Sequence, residues 1–106
     1  MSSALERLAA TIEARAQAAD PGSSWTARLL AGGPEKCAGK FGEEAVEAVI
    51  EAVRGDPARL TAEAADVLYH LLVMCAARGV TLAQIEAELA AREGRSGLDE
   101  KAARSR

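Results

Sequence analysis

The sequence predicts an all-α protein, a bundle of four to five helices built around two long antiparallel helices. Three observations carry that prediction. Alanine, the strongest helix former, is very common, and the aromatic residues are only Trp25, Phe41 and Tyr69. Apolar residues recur at three- and four-residue spacing, and no stretch alternates as a strand would. Glycines and prolines fall where one helix must stop and another begin.

Taken in order, Ser3-x-x-Glu6 is a capping-box pattern, followed by Leu5, Leu8, Ala9 and Ile12 on one helical face. This helix spans about residues 4–19 and stops at Asp20-Pro21-Gly22. Ser24 then caps a short helix, WTARLLA, which Gly32-Gly33 halts. Pro34 suits the first turn of a long third helix, which runs to Arg54 and ends at Gly55. Gly39 and Gly42 weaken that helix and allow a kink. Asp56-Pro57 supplies the N-cap and first residue of a fourth helix, continuing through VLYHLLVMCAAR to Gly79. Thr81-x-x-Gln84, a second capping box, opens LAQIEAELAARE, and Gly94 closes it. Residues 1–93 thus read as one helical domain and 94–106 as a polar tail.

A chain of 106 residues buries a modest core, and self-association would help it. The net charge of −3 is mild and argues against nucleic-acid or membrane binding. Cys37 and Cys75 form no CxxC pair and sit in apolar helical runs, so buried reduced thiols are expected. No signal peptide opens the sequence and no apolar run reaches the roughly 20 residues that span a bilayer. A cytoplasmic protein is the default.

The charged residues are unevenly placed. GEEAVEAVIEAV, residues 42–53, carries Glu43, Glu44, Glu47 and Glu51 with no cation among them. These acids form a stripe beside an apolar face of Ala45, Val46, Val49 and Val53, expected to be buried, with Ile50 on its border. Lys36 and Lys40 lie at the N-terminal end of the stripe. A solvated salt-bridge face explains it poorly. Glu43–Glu47 and Glu47–Glu51 are like-charge i,i+4 pairs, each unfavourable by roughly 0.2–0.5 kcal/mol. The fourth helix is apolar nearly all round, so it should be buried, and Glu63, Asp66 and His70 share its polar stripe. Buried carboxylates must be protonated, paired or metal-bound. Glu44-x-x-Glu47 and Glu63-x-x-Asp66 each put two carboxylates one turn apart, and a tight turn between antiparallel helices lets all four converge. Such hard oxygen ligands suit Mg²⁺ or Mn²⁺. His70 is open to three readings, as ligand, base or hydrogen-bond partner of a carboxylate, although a lone histidine near a core is more often structural. Tyr69 reads as packing. Trp25 reads as a boundary anchor more readily than as a base-stacking platform.

GEEAVE followed by EAADVLYHLL, after SSWTARLLAGGPEKCAGK and before SGLDEKAAR, resembles the phosphoribosyl-ATP pyrophosphohydrolases of histidine biosynthesis. These belong to the MazG-like all-α nucleotide pyrophosphohydrolases, and the similarity runs from about Trp25 to Arg104. EExxE with ExxD is common to that superfamily; the flanking segments resemble the histidine-pathway enzyme more specifically. The resemblance implies Mg²⁺-dependent hydrolysis of phosphoribosyl-ATP to phosphoribosyl-AMP and pyrophosphate by a homodimer. It implies metal binding by Glu44, Glu47, Glu63 and Asp66, with Glu43 as an outer-shell group or a water-orienting base. Ser96, Lys101 and Arg104 match a terminal motif expected to close over substrate phosphates, and Lys36 and Lys40 are placed to hold outer phosphate oxygens. Trp25 stands where tyrosine is more usual, and Gly39 and Phe41 replace longer polar and smaller aliphatic residues. The cyclohydrolase half fused to this enzyme in many bacteria is missing, so the chain is expected to act alone on freely diffusing substrate. Two other readings compete: a housecleaning enzyme cleaving noncanonical nucleoside triphosphates, and a non-catalytic dimerisation module with an acidic docking stripe.

Overall fold

A computed structural model describes residues 2–95 and 97–104, and among them every regular element is helical. The order is α1 (Ala4–Ala18), α2 (Trp25–Ala31), α3 (Gly33–Arg54), α4 (Pro57–Ala76), α5 (Leu82–Ala91) and α6 (Gly97–Arg104). The all-α bundle and its long central pair are therefore as the sequence predicts. Both capping boxes form: Ser3 Oγ accepts from the Glu6 N–H and Thr81 Oγ1 from the Gln84 N–H. α3 runs without interruption through Gly39 and Gly42. The segment expected to be a polar tail contains α6, a two-turn helix.

The turn between α3 and α4 contains only Gly55 and Asp56. Gly55 takes the left-handed conformation (φ 80°), and its N–H caps the Glu51 carbonyl. The Asp56 carboxylate accepts from the N–H groups of Ala58 and Arg59 and starts α4 at once. So short a link forces the two helices antiparallel, and α3–α4 is the dominant packing interface.

α1 and α2 close one end of this hairpin. The core consists of Ile12, Leu29, Cys37, Leu72 and Val73, with Leu5, Leu8, Leu30, Tyr69 and Ile85 packed around it. The Cys37 thiol is buried, donates to the Leu29 carbonyl at 3.3 Å, and has its pKa raised chiefly by burial. The Tyr69 hydroxyl meets the Thr26 hydroxyl at 2.6 Å and ties α2 to α4. The packing role read for Tyr69 includes this bond. Trp25 is half exposed at the start of α2.

One expectation is reversed. The apolar face of α3 is not covered within the chain: Val46, Val49, Ile50 and Val53 are 59%, 61%, 45% and 83% exposed. α3 instead turns the row Cys37, Phe41, Glu44, Ala48 and Glu51 inward, and α4 is its main partner. The physical reason lies in the neighbours. α3 has one long helix to pack against, and the acids and the valines lie on different sides. Covering the acids leaves the valines open.

Candidate metal and active site

Glu44 and Glu51 of α3 and Glu63 of α4 are therefore at least partly buried where the two helices pack, while Glu43, Glu47 and Asp66 are exposed. One carboxylate oxygen each of Glu44, Glu63 and Asp66 lies within 4.8 Å of the others. Glu63 and Asp66 come from successive turns of α4, and Glu44 reaches them from α3. Hairpin geometry, not sequence proximity, makes this cluster.

Its electrostatics are unfavourable without a cation. The Glu44 pKa is raised, first by burial, then by hydrogen bonding to and repulsion from Glu47 and by Asp66, with Lys40 opposing. Burial also raises the Glu63 pKa, followed by the charges of Glu47 and Asp66, hydrogen bonding to Glu47, and the charge of Glu51. Glu63 Oε2 is buried and has no hydrogen-bond partner. A carboxylate oxygen removed from water without a partner is unfavourable unless something binds it. A hard divalent cation matches this donor set, because all the converging atoms are carboxylate oxygens.

Glu47 lies outside the tight trio and is exposed, yet it acts on both Glu44 and Glu63. Glu43 points outward and pairs with Lys40 at 3.2 Å. That contact occupies Lys40 in this state, whereas Lys36 is exposed, its stem lying over Gly32. Lys101 and Arg104 lie on α6, in its last turn. Ser96 lies outside the described residues.

Two neighbours of the cluster were not assigned by the motif. Glu51 is the most deeply buried acid, 6% exposed, and its only ion-pair partner among the described residues is Arg54 at 3.5 Å. Its place one turn beyond Glu47 was visible in the sequence, but its depth was not. His70, 7% exposed, brings Nε2 to 3.9 Å from Glu44 Oε1. Its pKa is lowered, mainly by burial and then by Lys40, against the opposing pull of Asp66 and Glu43.

With this geometry in place, the relatives are informative. Residues 5–93 match the family described as phosphoribosyl-ATP pyrophosphohydrolase. A protein of Cereibacter sphaeroides (strain ATCC 17025 / ATH 2.4.3) is 76% identical over 102 residues, covering 96% of this chain and 98% of its own length. One from Jannaschia sp. (strain CCS1) is 73% identical, with 94% and 97% covered. One from Paracoccus denitrificans (strain Pd 1222) is 71% identical, with 94% and 92% covered. All three are named phosphoribosyl-ATP pyrophosphatase. Similarity of this degree over nearly the whole length, in a chain whose hairpin gathers the ExxE and ExxD acids, leaves one assignment: the chain belongs to the phosphoribosyl-ATP pyrophosphohydrolase family.

Proposed function

We propose that this protein hydrolyses phosphoribosyl-ATP to phosphoribosyl-AMP and pyrophosphate, the second step of histidine biosynthesis, with Mg²⁺ as cofactor. The observation that carries the reading is the convergence of Glu44, Glu63 and Asp66 around an orphaned Glu63 oxygen, in a chain of this family. Glu44, Glu63 and Asp66 would hold the cation, and Glu47 would complete the set by turning inward. A bound divalent cation would neutralise the polyphosphate, lower the pKa of a water and stabilise charge on the departing pyrophosphate. Mn²⁺ would serve as a substitute.

The chain's own groups do the rest. Glu43, one residue before Glu44 and facing outward, takes the role of a base orienting the attacking water once Lys40 is drawn away to phosphate. Lys36 and Lys40 bind outer phosphate oxygens from the N-terminal turns of α3. Lys101 and Arg104, with Ser96, close over the substrate from the C-terminal segment. In the overall reaction water adds across one phosphoanhydride bond, its oxygen joining one phosphoryl product and the other leaving with the bridging oxygen. Each product then carries its own ionisable phosphate.

The working form is a homodimer in the cytoplasm. What supports the dimer is the open face of Val46, Val49, Ile50 and Val53 on α3, with Leu68 also exposed on α4. The radius of gyration, 15.7 Å, exceeds the about 13 Å of a compact domain of this length. A helical hairpin with an uncovered apolar side is half of a bundle.

The test is to incubate the protein with phosphoribosyl-ATP, with and without Mg²⁺, and follow both products, with ATP and dUTP alongside. Mg²⁺-dependent turnover of phosphoribosyl-ATP, lost in Glu44→Gln and Asp66→Asn variants of unchanged helicity, is expected. Cleavage of ATP or dUTP but not phosphoribosyl-ATP would retain the cluster and overturn the substrate.

A further inference from the structure

Of the two buried titratable groups at the seam that the family chemistry leaves without a task, Glu51 and His70, only His70 makes an ion-pair contact with a residue of the trio. It stands one turn after Asp66 and two after Glu63, so it shares their face of α4 and enters the same seam. It is buried, yet a histidine is not needed to fill space between two helices. Its Nε2 does not join the group of oxygens that lie within 4.8 Å of one another; its ion-pair contact is with the Glu44 carboxylate, at Oε1. Lys40 is turned to Glu43, and His70 is the only ion-pair partner of Glu44 among the described residues. The imidazole is itself braced. The Tyr69 ring meets it edge to face, with centroids 4.9 Å apart at 78°, and the Tyr69 hydroxyl is anchored on Thr26.

We propose that His70 is a positioning residue for the carboxylate cluster, its Nε2–H holding the Glu44 carboxylate in the orientation that ligates the cation. The proposal rests on the metal reading above. A carboxylate that gives one oxygen to a metal remains free to rotate unless the other oxygen is bonded, and a buried N–H donor fixes both its plane and its reach. The separation of 3.9 Å is too long for a hydrogen bond. Closing it to about 2.9 Å needs a shift of about 1 Å, within the reach of two side-chain torsions. The bond would form when the Glu44 carboxylate takes up its ligating orientation. Removing such an outer partner weakens metal binding about ten- to a hundredfold.

The competing view is that His70 only fills the seam. Two variants separate these views. His70→Leu keeps apolar bulk and loses the donor; His70→Gln keeps an amide N–H near the position of Nε2. Mg²⁺ affinity is measured without substrate, by calorimetry and by the Mg²⁺-dependent rise in Tm, and kcat and KM are read separately. We expect Leu to weaken Mg²⁺ binding at least tenfold and Gln to restore it to within about threefold. Excess Mg²⁺ should recover kcat in the Leu variant. Unchanged Mg²⁺ affinity in the Leu variant, or equal losses in Leu and Gln, would overturn the proposal. If the substituted proteins do not fold, the wild type still decides. Imidazole ¹⁵N spectra should show the Nε2–H tautomer, with slowed exchange of that proton on Mg²⁺ addition; the Nδ1–H tautomer overturns the assignment. A wild type without saturable Mg²⁺ binding defeats the metal reading itself and this inference with it, an outcome distinct from loss in the variants alone.

Discussion

At Glu63, burial and like charge act in the same direction, and both oppose ionisation. Glu63→Gln keeps the shape, removes the charge and adds an amide that can donate to Glu47 or Asp66. The metal-free variant should therefore melt higher than wild type at neutral pH while losing turnover, a stability gain at the expense of function. A Tm equal to or below that of wild type would contradict the electrostatic account. The pH dependence follows from the same shifts. Glu44 and Glu63 have folded pKa values raised above the ordinary 4.5, so the folded state holds more protons than the unfolded one. Their contribution to stability is full below about pH 4.5 and is lost as pH rises through the raised folded values. His70, lowered from 6.5, has the opposite sign: its contribution is present above 6.5 and is lost as pH falls toward the folded value. Cation binding needs both carboxylates ionised. The increment in Tm produced by Mg²⁺ should accordingly grow as pH rises across the carboxylate window, and scanning calorimetry at a series of pH values measures it.

At the scale of single elements, caps decide where each helix begins and ends. Asp56 both starts α4 and sets the turn that aligns the two halves of the site, so Asp56→Ala should cost about 1 kcal/mol by urea unfolding. Mg²⁺ affinity should fall as well if the turn loses its register. α1 ends on Ala19 in the left-handed conformation (φ 48°), unfavourable for a residue with a Cβ by about 1–2 kcal/mol. Ala19→Gly should stabilise the protein by up to about 1 kcal/mol, after the greater unfolded-state entropy of glycine is subtracted. The capping residues of α1, α2, α4 and α5 were all legible in the sequence, because a cap is a local pattern of four residues. α6 was not, because Gly97 and a charged run resemble a tail as much as a helix. The direction in which α3 faces was equally illegible. Helical periodicity separates an apolar side from an acidic side but does not say which of them meets α4.

Across the whole molecule, the unclosed valine face is the main departure from a self-sufficient domain. Val49→Glu with Val53→Glu should leave helicity nearly intact, because both residues are exposed in the single chain. The proposed dimer should dissociate, as read by sedimentation equilibrium. Activity should fall with it if the site draws residues from both subunits. A variant that stays dimeric would place the interface elsewhere. The contrasting substitution is Leu29→Ala, at a side chain with no exposure in the core beneath α2; its expected cost is about 2–5 kcal/mol. Together the two tests separate the apolar surface that folds the chain from the surface that joins chains.

The amino-acid sequence by itself determined the helical class, the first five helices and their caps, and the acids from which a divalent site can be built. Each of these rests on residue spacing within a few turns, and spacing is printed in the chain. The sequence also allowed the acids to converge between the two long helices; only the tertiary structure decided that Glu44, Glu63 and Asp66 form the tight trio with Glu47 outside it, and that His70 stands beside Glu44. It also decided that the valines face outward. Those outcomes depend on how far each helix rotates about its axis when it packs. That rotation is a compromise among all neighbours at once, which no local pattern contains.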